Sequence, residues 1–149
     1  MKISIANDHG GFELKNIIRD YLIELGYEVV DCGCESLDSC DYPDYAHQAA
    51  KLVEEGSCER GIVICTSGVG VSICANKHKG VRCGLVYNSE VAKLVRQHND
   101  VNMIAIGAKY TTKAQAIEYV TLFLNTAFEG GRHERRVTKI EKLSLKERF

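Results

Sequence analysis

The chain has little net charge, no long apolar run and no linker-like stretch. Nineteen Lys and Arg face twenty Asp and Glu, a formal net charge of −1. That balance gives no surface-wide attraction to nucleic acid or to a membrane. No segment approaches the roughly 18 apolar residues of a membrane span. The opening Met1-Lys2-Ile3-Ser4 does not read as a signal peptide, so the expected setting is cytoplasmic. With no internal repeat, low-complexity segment or linker, the 149 residues read as a single domain spanning 1–149. The seven cysteines are odd in number and scattered, and only Cys32 and Cys34 form a C-x-C. Paired C-x-x-C units and histidines at ligand spacing are missing, so no metal is expected. Reduced, mostly buried thiols suit a reducing compartment.

What is present is an ordinary globular composition, 45% apolar and 26% charged, in which strands and helices alternate. Strands are expected at 2–6, 27–32, 60–65, 81–86 and 101–106. Between them, Phe12 to Leu25 has helical spacing and is stopped by Gly26, and Pro43 opens a second helix. Val71 to Lys77 reads as a third helix, Ser89 caps a fourth, and Thr112 caps a fifth running to about Phe128. Glu129-Gly130-Gly131 then breaks the chain before a charged helical tail, about 132–149. The expected fold is α/β: a doubly wound, Rossmann-like, five-stranded parallel sheet with right-handed crossovers, helices on both faces and a C-terminal helical tail.

Ligands of such sheets bind beyond the carboxyl ends of the strands. Asp8-His9, Tyr42, Cys65 to Gly70 and Lys109 all fall there. Cys65-Thr66-Ser67-Gly68-Val69-Gly70 joins a β-branched strand to a helix, the arrangement in which backbone N–H groups converge on an anion. A thiol beside such a turn has reason to ionise. The glycines are not a dinucleotide fingerprint, because Ile73 stands at the third glycine position and the motif follows the third strand. Nor does a Gly-Lys-Ser/Thr follow to make a phosphate loop. Asp8 and His9 also read as caps, and His98 as a helix-end cation. Yet His98-Asn99 precedes the fifth strand and belongs at the opposite edge of the sheet, which suggests service to a neighbouring subunit. Arg132 and Arg136 are i, i+4 neighbours able to clamp one anion. Their tail has little reason to pack on its own core. His47 and His78 show no partner pattern and read as surface residues.

Taken together, Asn-Asp-His-Gly-Gly at 7–11, Asp-Tyr-Pro at 41–43, Cys-x-Ser-Gly-Val-Gly at 65–70, Ala-Asn-Lys at 75–77, Arg-Gln-His-Asn-Asp at 96–100 and Glu-Gly-Gly-Arg-His-x-x-Arg at 129–136 resemble the type B ribose-5-phosphate isomerases. The galactose-6-phosphate isomerase subunits belong to the same superfamily. The resemblance implies that Cys65 is the base moving a proton between the carbons flanking the carbonyl, and that His98 is the acid that helps open the sugar ring. It makes Thr66, Ser67, Gly68, Val69 and Gly70 the cradle for the enediolate, and Asp8, His9, Asn99, Arg132 and Arg136 substrate ligands, the arginines at the phosphate. It also implies a homodimer or tetramer with shared sites, the tail serving dimer contacts. Two positions depart from the family pattern. Thr66-Ser67 replaces the usual Gly-Thr, and Lys109 stands where arginine is frequent, turning a bidentate phosphate contact into a point charge.

The reaction implied is the interconversion of ribose 5-phosphate and ribulose 5-phosphate, a step of the pentose phosphate pathway. It needs an acid, a base, an oxyanion site and a phosphate anchor, and neither cofactor nor metal. Two other readings stay open: an isomerase of allose or galactose 6-phosphate, and a non-catalytic sugar-phosphate-binding module on the same fold. A binding module has no use for a base at Cys65 or an acid at His98.

Overall fold

The computed structural model describes residues 1–142. Five strands, β1 (Lys2–Asn7), β2 (Glu28–Asp31), β3 (Arg60–Cys65), β4 (Cys83–Val86) and β5 (Met103–Gly107), form one parallel sheet in the order β2-β1-β3-β5-β4. Around it lie α1 (Phe12–Glu24), α2 (Tyr42–Glu54), α3 (Val69–Ala75), α4 (Ser89–Gln97), α5 (Lys113–Asn125) and α6 (Arg132–Ile140).

Side-chain alternation along the strands divides the core in two. Ile3, Ile5, Ile62, Ile64, Ile104 and Ile106 face α1, α4 and α5, which answer with Leu14, Ile18, Leu22, Val95, Val120 and Phe123. The other face presents Ala6, Val63, Cys65, Met103 and Ala105 to α2 and α3, which bring Ala46, Ala49, Ala50, Val71 and Ala75. Small side chains let α2 come close enough for buried Ser4 to donate its Oγ–H to the Ala49 carbonyl at 3.0 Å.

The crossovers sort by direction. Moves toward the β2 side of the sheet, β1 to β2 and β4 to β5, use α1 and α4 on one face. Moves the other way, β2 to β3 and β3 to β4, use α2 and α3 on the opposite face. One handedness of crossover requires this sorting. The chain therefore leaves β3 toward one face while leaving β1 and β5 toward the other. Crevices open on both sides of the β3 carboxyl end, where such folds hold ligands.

Several boundaries differ from the sequence reading. Asn88, not Ser89, caps α4, accepting the Val91 N–H at 2.8 Å, while the Ser89 hydroxyl donates to Glu118. Thr112 does cap α5, with Gln115 in a reciprocal capping box, but the helix stops at Asn125, because Thr126 is extended. β4 is two residues shorter at its start than expected, and α3 begins at Val69. The tail also packs on its own chain. Val137 is buried, the Glu129 N–H donates to the Gln97 carbonyl at 3.1 Å, and Arg82 pairs with Glu141 at 2.6 Å. The end of the expected tail, 143–149, lies outside the described residues.

Candidate active site

Cys65 ends β3 as a buried thiol, and the turn that follows returns to its sulfur. Gly68 turns the chain back with φ +78°, a conformation that favours glycine, and donates its N–H to Cys65 Sγ at 3.1 Å. A Cβ at Gly68 would also strike Leu85 and the backbone of Ile106 and Gly107 below 3.0 Å. Ser67 Oγ accepts the Val69 N–H at 3.2 Å, tightening the turn into α3. As first-turn amides, Gly70 and Val71 have no hydrogen-bond acceptor within α3.

Neighbouring loops close around this turn. The Thr66 carbonyl accepts the Lys109 N–H at 3.1 Å, tying it to the segment after β5. Thr66 supplies bulk in a tight place, and Gly10 makes the room: a Cβ there would sit 2.3 Å from Thr66 Oγ1. Gly10, Thr66, Ala108 and Lys109 then line a cleft of about 340 Å³ shared with α1. On the other side, the Tyr42 ring lies over Gly70, where a Cβ would come within 2.5 Å of it.

After β1, buried Asp8 caps the next turn with Oδ1, accepting the Gly11 N–H at 3.0 Å. His9 is not the cap. Its Nδ1 accepts the Cys40 N–H at 3.2 Å, which fixes the ring against the loop that leads to Tyr42. Asn7, buried beneath, holds the Asp8 and Cys34 carbonyls with its amide N–H groups at 2.8 and 3.1 Å. Asp8, His9, Tyr42, Cys65 to Gly70 and Lys109 therefore gather at one end of the sheet.

His98, Asn99, Arg132 and Arg136 do not join them. His98 ends α4 at the amino edge, where Arg96 and Arg82 hold the following Asp100 at 2.8 and 3.5 Å in its left-handed turn, φ +46°. Register pairs Gly61 with Met103 and Cys65 with Gly107, so β5 alone sets about 13 Å between the level of Cys65 and that of Met103. His98 lies five residues further back. Its ring stacks on His133 of α6, centroids 4.2 Å apart, with Glu129 Oε1 3.5 Å from Nε2. Burial, then the adjoining His98 and Arg132, holds the His133 imidazole below its ordinary value. Arg132 and Arg136 project from one exposed side of α6.

All seven cysteines are unpaired thiols. Burial pushes Cys32 up to about 11 and raises Cys58 and Cys74, the behaviour of inert core thiols. His47 and His78, read from sequence as partnerless, are hydrogen-bonded to each other at 2.8 Å. They stand thirty-one positions apart in sequence, and only the packing of α2 against α3 brings them together.

The ribose/galactose isomerase family model matches residues 3–140. Ribose-5-phosphate isomerase B of Escherichia coli is 44% identical over 139 residues, 93% of each chain. The solved structure of ribose-5-phosphate isomerase B from Clostridium thermocellum superposes with a TM-score of 0.95 at 45% identity, covering 99% of both chains. That of the Mycoplasma genitalium enzyme with bound ribulose-5-phosphate gives 0.92 at 43% identity, covering 95% of this chain and 94% of that one. Sequence and fold agree: the chain belongs to the ribose/galactose isomerase family.

Proposed function

We propose that the protein interconverts ribose 5-phosphate and ribulose 5-phosphate by proton transfer through an enediolate. The observation that carries this reading is the Gly68 N–H on Cys65 Sγ at 3.1 Å, inside a turn whose next amides have no acceptor within α3. It is a contact that an anionic sulfur accepts well. In the open-chain aldose, Cys65 takes the proton from C2. The electron pair moves into the C1–C2 bond, and the negative charge collects on oxygen. The proton returns at C1 while the O2 hydroxyl proton passes to O1, so nothing leaves and nothing is oxidised overall. Gly70 and Val71 amides, with the Ser67 hydroxyl, hold the developing oxyanion. Asp8, His9 and Tyr42 position the sugar hydroxyls.

His98 opens the ring, and Lys109, Arg132 and Arg136 hold the phosphate. Because His98 and Cys65 lie at opposite ends of one sheet, a site containing both takes His98, Asn99 and the α6 arginines from a second copy, in a two-fold homodimer or a tetramer built from such pairs. No helix among the described residues is long and apolar enough to cross a membrane. With seven unpaired thiols, the enzyme works in a reducing cytoplasm, within the pentose phosphate pathway.

The test is turnover of ribose 5-phosphate beside allose 6-phosphate and galactose 6-phosphate, with solvent deuterium followed into the product. The expected result is the highest kcat/KM for ribose 5-phosphate, with deuterium at C1 of the ketose. Preference for either hexose phosphate would move the substrate to that sugar. Tight binding without turnover of any of the three would make the protein a sugar-phosphate-binding module.

A further inference from the structure

Away from the proposed chemistry, three side chains on the α2–α3 face form a chain of contacts. His47 projects from the middle of α2, and His78 follows the end of α3. His47 Nδ1 lies 2.8 Å from His78 Nε2, and His78 Nδ1 lies 2.9 Å from Glu54 Oε2. The other carboxylate oxygen, Oε1, accepts the Lys79 N–H at 3.2 Å, so Glu54 is held from two sides. The His78 hydrogen bond also keeps this carboxyl below its ordinary range.

The tautomers follow from this geometry. A carboxylate only accepts, so His78 Nδ1 carries a hydrogen. In neutral His78, Nε2 then presents its lone pair toward His47. The gap between the rings holds one proton, donated by His47 Nδ1. An imidazole oriented by a carboxylate on its far nitrogen is how proteins prepare a histidine for metal.

We propose that His47 Nδ1 and His78 Nε2 form a binding site for a nitrogen-preferring divalent cation of the zinc, nickel or copper class, with Glu54 orienting His78. Metal–nitrogen bonds of about 2.0–2.1 Å at a tetrahedral angle put the two nitrogens about 3.3 Å apart. The site reaches that by opening about half an ångström. The His47 ring is on an exposed residue and is tilted by 48° to the His78 ring, so a rotation of His47 turns its Nδ1 off the ring-to-ring line toward an ion shared with His78 Nε2. On binding, the His47 proton moves to Nε2, and water completes the coordination. The ion links α2, which carries Tyr42, to the end of α3, which opens with Gly68 to Gly70.

A second cluster competes for the same cation. Ligand atoms of His98, Glu129 and His133 lie within 4.8 Å of one another. There the two rings are stacked within 11° of parallel, so their lone pairs run side by side rather than converging.

Tag-free, metal-stripped protein titrated with Zn²⁺ and Ni²⁺ by calorimetry tests the proposal, with thermal unfolding as a second readout. Expected is a saturable site that His47→Asn and His78→Asn each weaken at least tenfold and Glu54→Gln weakens about 10–100-fold, and that His133→Gln leaves intact. Zn²⁺ should raise the Tm of the wild type and not that of His47→Asn. No saturable binding, unchanged affinity in His47→Asn, or loss in His133→Gln would overturn it.

Discussion

The two ends of the sheet are built to different plans. At the carboxyl end, β1, β2, β3 and β5 deliver segments that lock onto one another: Thr66 to Lys109 through backbone, Gly10 beneath Thr66, Tyr42 over Gly70, the His9 ring on Cys40. At the amino end, His98 sits on a helix terminus beside an exposed, basic α6. Each end is anchored by a buried cation. Lys15, 1% exposed, meets Asp31 at 2.8 Å, and Arg96, 6% exposed, meets Asp100 at 2.8 Å and the Val101 carbonyl at 2.7 Å. One end is a finished cavity wall. The other is a set of groups presented outward, which suits groups that complete someone else's site.

The largest effect should come from the cavity end. Cys65→Ala should lower kcat about 10²–10⁴-fold with little change in KM. In the proposed dimer, His98→Asn should likewise be nearly inactive when assayed with cyclic ribose 5-phosphate. Unfolded together and refolded, the two variants form mixed dimers with one doubly damaged site and one intact site, and roughly a quarter of wild-type activity should return. If native gels show mixed dimers and activity stays absent, Cys65 and His98 act within one chain and the contrast between the ends loses its meaning.

Next comes a change that displaces the cavity wall, and the Gly70 amide with it, while removing no reacting group. Gly70→Ala sets a methyl against the Tyr42 ring and should cost about 10–100-fold in kcat/KM by shifting the turn. Wild-type kinetics from this variant would mean that the turn needs no such packing. A smaller quantity, the difference between the two directions of the reaction, belongs to the other end. Because ring opening is needed only for the cyclic aldose, His98→Asn should slow ribose 5-phosphate more than open-chain ribulose 5-phosphate, read from initial rates in both directions. Equal losses would give His98 a share in the carbon-bound proton step.

The last prediction concerns stability. Burial opposes the Asp31 charge, but hydrogen bonds from Lys15, the Gly33 N–H and Arg19 outweigh it and hold the carboxyl below the ordinary range. Its contribution is therefore complete above the unfolded carboxylate value of about 3.9 and is lost as pH falls through the depressed folded value. Asp31→Asn leaves buried Lys15 without its counter-charge, but the Asp31 side is open to solvent, so the cost at neutral pH should be about 1–3 kcal/mol, below that of a fully buried pair. The variant should also lose less further stability between pH 4 and pH 2 than the wild type, measured by urea unfolding. Parallel acid profiles would place the pair outside the acid response.

The alternation of strands and helices was readable because β1, β3 and β5 are buried on both faces and stand out as apolar runs. Cys65 and its turn were readable for the same reason, being local to one strand end. Helix ends were harder. Phe128 continues an apolar rhythm that the extended backbone at Thr126 has already broken, and Asn88 and Ser89 are both competent caps in sequence. Least readable was whatever depends on packing between distant segments. Glu54, His47 and His78 meet only because α2 lies against α3, and the charged tail finds its own chain through His133, Val137 and Glu141.

The strand order also governs when the cavity end can exist as the chain folds. Ile62 of β3 pairs with Ile5 on one side and Ile104 on the other, and β4 enters the sheet only by pairing with β5. During synthesis, Cys65 therefore emerges long before the strand that supports its turn, and the ordering of that turn waits on a contact of large sequence separation, the slow kind to form. A substitution that weakens β5 should delay the appearance of activity on refolding more than it delays the helical signal of the earlier segments.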